Sequence, residues 1–254
     1  MRHANWQDWG STNASQAIAA PSPLNAIVQP PAAMSVDRLP QNQSVARAQW
    51  VGTACLECRD QPLHTQIEQF SRSWQMAPSA TGAAHKLVVL PLFLLSGVHV
   101  MEDIPQQIAL AQAALGSTVA IETRPAIGSH PKLSRLVTEC MAAQPVEAWI
   151  LLSHGSRRPG ANQPMDAMAE RLGAIAAYWS VPPNLESRLQ ELIPLGIRSV
   201  GILPYFLFPG ATTDAIAQTV AALSQQFPTL QLHLAPPLSA SSELTDLLVD
   251  LAQD

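Results

Sequence analysis

The stretch LVVLPLFLLSGVHVMEDIP, Leu87 to Pro105, decides how the rest of the chain is read. An apolar run rich in Val and Leu ends at Gly97. His99 follows, then Glu102 and Asp103, then the start of a helix at Ile104. The run is too short to span a membrane and reads as a strand, Leu87–Leu95, buried on both faces of a parallel sheet. Open α/β sheets place their ligands at the carboxyl ends of such strands. A histidine there can ligate a cation through a neutral nitrogen or accept a proton near neutral pH.

The stretch has a partner downstream. Leu203-Pro204-Tyr205-Phe206-Leu207-Phe208-Pro209-Gly210 repeats Leu90-Pro91-Leu92-Phe93-Leu94-Leu95-Ser96-Gly97 in register, and Thr212 stands where His99 does. The repeat continues, with Ile121-Glu122-Thr123-Arg124-Pro125 matching Leu232-His233-Leu234-Ala235-Pro236. Two similar α/β halves therefore follow one another. The expected organisation is an atypical arm over residues 1–43, a first lobe over 44–145 that is incomplete at its start, and a second lobe over 146–254. A histidine needed only for packing would be needed in both halves, so His99 points to a site.

A second strand, Trp149–Ser153, ends in Ser153-His154-Gly155-Ser156-Arg157. The glycine permits a tight exit from the strand, and the histidine again sits at the carboxyl end. Ser156, two residues from His154, does not make the G-x-S-x-G elbow of a hydrolase.

The remaining elements follow from pattern. Strands are expected at Trp50–Glu57, Val119–Thr123, Val200–Phe206 and Leu230–Leu234. Helices are expected from Pro62 to Phe70, Ile104 to Leu115 with Asp103 as N-cap, Lys132 to Ala142, and Gln163 to Tyr178. Three more helices cover Asn184 to Leu195, Asp214 to Phe227 and Ser242 to Ala252. Alternating strands and helices imply an α/β fold with parallel strands. His64 is expected solvated on its helix, His130 exposed in a loop before Pro131, and His233 structural within a strand. In the N-terminal region, Leu24–Val28 is strand-like and residues 32–47 suit a helix broken at Pro40; in the first lobe, Pro78–Ala83 is a loop.

Composition narrows the function. A formal net charge of −5 gives no reason to expect nucleic-acid or acidic-membrane binding. No apolar run is long enough to cross a bilayer, and the first twenty residues lack the basic start and apolar core of a signal peptide, so a cytoplasmic protein is expected. Three cysteines, Cys55, Cys58 and Cys140, make neither a disulfide framework nor a zinc site and are read as structural.

Three segments together resemble the sirohydrochlorin chelatases, the CbiX/SirB type of class II cobalto- and ferrochelatases. They are V-x-L-P-L-F-L-L-S-G-V-H-V-x-E-D-I-P at 88–105, S-H-G-S-R-R-P-x-A-N at 153–162, and the segment from Leu56-Glu57 to Pro62-Leu63. The likeness covers roughly residues 45–252. It implies two pseudo-symmetric chelatase-like lobes around a cleft for a flat tetrapyrrole. It also implies insertion of Co²⁺ or Fe²⁺ into sirohydrochlorin for cobalamin or sirohaem synthesis. The metal is then a substrate, with no permanently bound cofactor. His99 and His154 are the implied metal ligands and proton acceptors, with Glu102 orienting an imidazole or passing protons on. Ser156, Arg157 and Gly97 are implied to contact the tetrapyrrole. Helix-terminal charge is the competing role for Glu102 and Asp103.

One departure stands out. The resemblance implies two histidines within one lobe, yet His99 falls in the first and His154 in the second. The first lobe has Ile27-Val28-Gln29-Pro30-Pro31 where the other histidine motif is due. Three accounts stay open: an altered start that lacks a strand and loop, a site completed by a substitute ligand or by His154 reaching across the cleft, and a degenerate chelatase that binds tetrapyrrole or metal without turnover.

Overall fold

Apolar strands bounded by proline and glycine build two parallel sheets in this computed structural model, which describes residues 50–57, 60–75 and 85–253. The described residues from Ala54 onward belong to one compact unit. In chain order the elements are α1 (Leu63–Gln75), β1 (His85–Val89), α2 (Ile104–Leu115), β2 (Val119–Thr123), α3 (Leu133–Ala142), β3 (Ala148–Ser153) and α4 (Gln163–Arg171). Then come β4 (Ile175–Tyr178), α5 (Leu185–Leu192), β5 (Ser199–Pro204), α6 (Ala211–Gln226), β6 (Gln231–Leu234) and α7 (Glu243–Gln253). The expected arm elements and the Pro78–Ala83 loop lie outside the described residues, as does Cys58.

Strands β4, β3, β5 and β6 form one sheet in that order, all parallel. The chain leaves β3 towards β4 and returns to β5 on the other side. The strand order therefore reverses at β3 and β5, where open α/β sheets form their crevice. Alternate residues face opposite sides. Trp149, Leu151, Tyr178, Leu203 and Tyr205 pack with α3, α4 and α7. Ile150, Leu152, Ala177, Val200 and Ile202 pack with α5 and α6. Helices thus cover both faces, which is why β3 reads as a continuous apolar run. Gly201 pairs with Trp149 across the ladder, and a Cβ there would lie 2.5 Å from the indole ring.

The smaller sheet pairs β1 with β2, also parallel. Leu63 and Ile67 of α1, Leu87, Ile104 and Ala111 of α2, and Val119 form its core. Strand β1 is shorter than the expected Leu87–Leu95. Pro91 has no N–H to give a ladder, so the strand stops at Val89. It pairs with β2 along its whole length but is less buried than expected, since only Leu87 of the five residues is buried. Beyond it the chain keeps contact through the main chain: Ile127 N–H donates to Pro91 O at 3.1 Å and Gly128 N–H to Phe93 O at 2.9 Å.

Further expectations are corrected. Residues 50–57 form no strand. Instead the Gln66 side chain takes both main-chain groups of Cys55, accepting from its N–H at 3.0 Å and donating to its carbonyl at 2.8 Å. The helix expected to Tyr178 ends at Arg171, because Gly173 turns left-handed (φ 65°) and Ile175–Tyr178 joins the sheet as β4. His130 is buried rather than exposed: its Nδ1 accepts from Lys132 N–H at 3.1 Å, and its Nε2 lies 4.0 Å from Asp250 of α7. His64 is half-buried, with Nδ1 2.8 Å from Gln107 Oε1, rather than simply solvated.

The repeat is visible in the structure. The segment β1–α2–β2–α3 is echoed by β5–α6–β6–α7, and each carries a short 3₁₀ turn between its second strand and its last helix, Ile127–Ser129 and Leu238–Ala240. Ile127 and Leu238 are both completely buried there.

Candidate active site

His99 opens a single π-helical turn, His99–Asp103, that runs directly into α2. Gly97 O accepts from Val100 and Met101 N–H at 3.1 Å each, and Ile104 N–H reaches back five residues to His99 O. Pro105 cannot donate to the Met101 carbonyl, so the ordinary i→i−4 ladder is interrupted here. A Cβ on Gly97 would meet nothing within 4 Å, and its φ is not left-handed, so the turn needs glycine for neither space nor conformation.

The turn sets the surroundings of the imidazole. His99 Nδ1 is 2.7 Å from Asp103 Oδ2, four residues on, and Nε2 is 3.7 Å from Glu57 Oε1. The ring packs on Phe93, with centroids 5.9 Å apart. Asp103 is not the expected N-cap: its backbone is already helical and its side chain makes no cap bond. Nor is Glu102 the carboxylate on the imidazole. Residues four apart share a helical face, and the adjacent Glu102 is exposed.

Glu57 was not among the candidates read from sequence. Only its place in the Leu56-Glu57 to Pro62-Leu63 segment hinted at it, because its approach to His99 is a tertiary contact between residues far apart in the chain. The Gln66 clamp on Cys55 holds that segment against α1, since the same amide also donates to Gln61 O at 2.8 Å. A cleft of about 240 Å³ lies beside the carboxylates, lined by Leu56, Glu57, Pro62, Leu63, Asp103 and Gln107 among others.

The second motif is built differently. Gly155 follows β3 with φ 81°, and a Cβ would lie 2.7 Å from Tyr178 Cβ, so glycine is required. Asn162 clamps the loop: its Oδ1 accepts from Ser156 N–H at 2.9 Å and its Nδ2 donates to Ser156 O at 3.1 Å. Ser156 Oγ accepts from Arg158 N–H at 3.2 Å, so it shapes the loop. His154 is exposed, and among the described residues only its carbonyl is engaged, by Ser180. Arg157 is exposed and makes no ion pair among the described residues. No hydrogen bond or ion pair joins His99 to His154.

Beneath the loop, Tyr178 donates to Asp166, and burial together with that carboxylate holds its hydroxyl well above the usual phenol range. Tyr205, on the adjacent strand, is also raised by burial, and its hydroxyl has no hydrogen-bond partner among the described residues. Among the described residues no three His, Cys, Asp or Glu side chains converge to hold a metal ion. No helix among them is long and apolar enough to cross a membrane.

Comparison with known proteins gives this arrangement a context. The family model CbiX matches the chain twice, over residues 39–144 and 148–254. A sirohydrochlorin cobaltochelatase of Priestia megaterium is 25% identical over 187 residues, 67% of this chain and 61% of the relative. A sirohydrochlorin ferrochelatase of the same organism is 24% identical over 160 residues, 57% of this chain and 60% of the relative. The chain thus spans about three fifths of the length of these curated relatives. Two solved structures share the fold. SirB from Bacillus subtilis with Fe³⁺ has a TM-score of 0.60 at 23% identity, covering 78% of this chain and 79% of that one. SirB from Bacillus subtilis subspecies spizizenii in complex with cobalt has a TM-score of 0.57 at 21% identity, covering 78% and 77%. With both halves matched by one family model, the chain belongs to the CbiX family.

Proposed function

We propose that this protein is a sirohydrochlorin chelatase that inserts a divalent cation, Co²⁺ or Fe²⁺, into the tetrapyrrole. The observation that carries the reading is the pairing of His99 Nε2 with Glu57 Oε1 at 3.7 Å, at the carboxyl end of the first-half sheet. Insertion must strip water from the cation and remove two pyrrole N–H protons. One imidazole nitrogen and one carboxylate oxygen on the same side supply donors that suit Co²⁺ and Fe²⁺, and the imidazole accepts protons near neutral pH. Glu102, one residue from Asp103, is exposed at the rim, where it can take protons onward to solvent. In the second half, His154 is assigned as an outer ligand. Arg157, with Ser156 and Gly97 shaping the rims, is assigned to the substrate's carboxylates, which a guanidinium pairs well. The two family matches are read as two lobes, 44–145 and 146–254, after an N-terminal arm, and the site of action as the cytoplasm.

The test is an absorbance time course of sirohydrochlorin with Co²⁺ or Fe²⁺, using wild type, His99→Ala, His154→Ala and the double variant. Acceleration by wild type that vanishes in His99→Ala supports the reading. Wild type no faster than a control without protein would sink it. Loss in both single variants would assign one site to both halves.

A second reading is a binding protein without turnover. It is favoured by the scarcity of ligands: no third metal-binding side chain joins Glu57 and His99 among the described residues. Saturable tetrapyrrole or Co²⁺ binding with no acceleration would select it.

A further inference from the structure

We infer that Asp103 is a positioning residue: its carboxylate holds the His99 imidazole with the proton on Nδ1, leaving the Nε2 lone pair facing Glu57. This rests on the chelatase reading for its use, though not for its geometry. A neutral imidazole has one N–H, and two carboxylates compete for it. A carboxylate only accepts hydrogen bonds. Asp103 Oδ2 is 2.7 Å from Nδ1, the length of a charge-assisted bond, whereas Glu57 Oε1 is 3.7 Å from Nε2, beyond hydrogen-bond range. The opposite tautomer would set the Nδ1 lone pair against a carboxylate oxygen at that same short distance. Distance therefore decides for Nδ1–H. The Phe93 ring against the imidazole restricts its rotation.

The repeat supplies a second line of argument. In the second half Thr212 stands for His99, and helix α6 carries Ala215 and Ile216 where the first half has Asp103 and its neighbour Ile104. The carboxylate at the Asp103 position is missing where the imidazole is missing, and Asp214 falls at the position of Glu102. A capping or packing role would serve both helices alike, and Asp103 makes no cap bond in any case.

Asp103→Ala and Asp103→Asn test the inference in the full chain. The Asp103 side chain is 41% exposed, so both variants are expected to fold, and circular dichroism checks this. Long-range ¹H–¹⁵N correlation at about pH 8, where an ordinary imidazole is neutral, reads the His99 tautomer without substrate. Wild type and Asp103→Asn should carry the proton on Nδ1, because the Asn carbonyl still accepts, and Asp103→Ala should shift it towards Nε2. In the chelatase assay Asp103→Ala should lower kcat about 10- to 100-fold, the range for partners that orient ligands. The KM for tetrapyrrole should stay within about twofold, and Asn should restore most of kcat. An Nε2–H tautomer in wild type, or an unchanged tautomer in Asp103→Ala, overturns the inference. Absence of turnover in wild type would sink the chelatase reading, and the tautomer measurement alone would then decide the positioning.

Discussion

The two strand-to-helix turns that begin at Gly97 and Gly210 have nearly the same sequence before them and different geometry after them. In the second half, α6 starts at Ala211 in ordinary α form, with Thr213 Oγ1 accepting from Gly210 N–H at 2.8 Å. In the first half a π turn intervenes before α2. The register shows why. Gly97 matches Gly210 with an offset of 113, but the inward residues Ile104, Ile108 and Ala111 match Ile216, Val220 and Leu223 with an offset of 112. The first-half turn therefore holds one residue more. A π turn absorbs that residue without breaking the helix. The core face returns to phase at Ile104, and His99 and Asp103 are left together at the half-exposed rim. One inserted residue, placed where proline already interrupts the ladder, thus separates a rim that carries a paired histidine and carboxylate from one that carries threonine and alanine at the matching positions.

The comparison is broken or sharpened most strongly by paired substitutions at its centre. His99→Ala should abolish metal insertion, whereas Thr212→Ala should leave the rate within about twofold. Equal loss from both, in the same absorbance assay, would mean the halves are not functionally distinct. Next in size is the core. Ile127→Ala and Leu238→Ala remove completely buried side chains from equivalent turns, and each should cost about 2–5 kcal/mol. Chemical denaturation reads this, and a large disparity would show that the symmetry does not extend to packing. Glycines differ in the same test. A Cβ on Gly128 would lie 2.0 Å from the Leu94 carbonyl oxygen, so Gly128→Ala should cost about 1–3 kcal/mol of overpacking. Gly97→Ala, in open space, should change stability by less than about 0.5 kcal/mol.

The smallest expected effect depends on pH. Glu147 accepts from Arg198 N–H at 2.5 Å and Ser199 N–H at 3.0 Å, and these bonds lower its pKa. A carboxyl whose folded pKa is lowered stabilises the protein above its unfolded pKa, and that contribution is lost as pH falls through the folded value. Glu147→Gln should therefore be slightly less stable than wild type at neutral pH, with the difference closing in acid below the ordinary carboxylate range. Thermal melts across pH check this, and a gap that widens in acid would contradict it.

Much of the fold was legible. The alternation of strands and helices, β2 from Val119 to Thr123, α2 from Ile104 to Leu115 and the Asn184 cap, which accepts from Ser187 N–H at 2.9 Å, all follow from local pattern. Strand β4 did not. Ile175-Ala176-Ala177-Tyr178 follows a helix, and its alanines favour helix, so only pairing with β3 makes it a strand. The Trp50–Glu57 segment shows the converse, strand-like residues whose main-chain partner is a side chain, Gln66. Within the site, His99 could be read from its place after an apolar run. The choice of Asp103 over Glu102 needed the helical phase, and Glu57 needed the tertiary fold.

The chain after β1 has a broader consequence. Arg124, Ile127 and Gly128 donate to Val89, Pro91 and Phe93, as Ala235, Leu238 and Ser239 donate to Ile202, Phe206 and Leu207, and every one of these bonds is main chain to main chain. Rims tied in this way do not depend on which side chains they display. Either half can therefore display histidine or threonine at this position while the architecture persists, so the shape of a rim and the chemistry it displays are specified by different atoms.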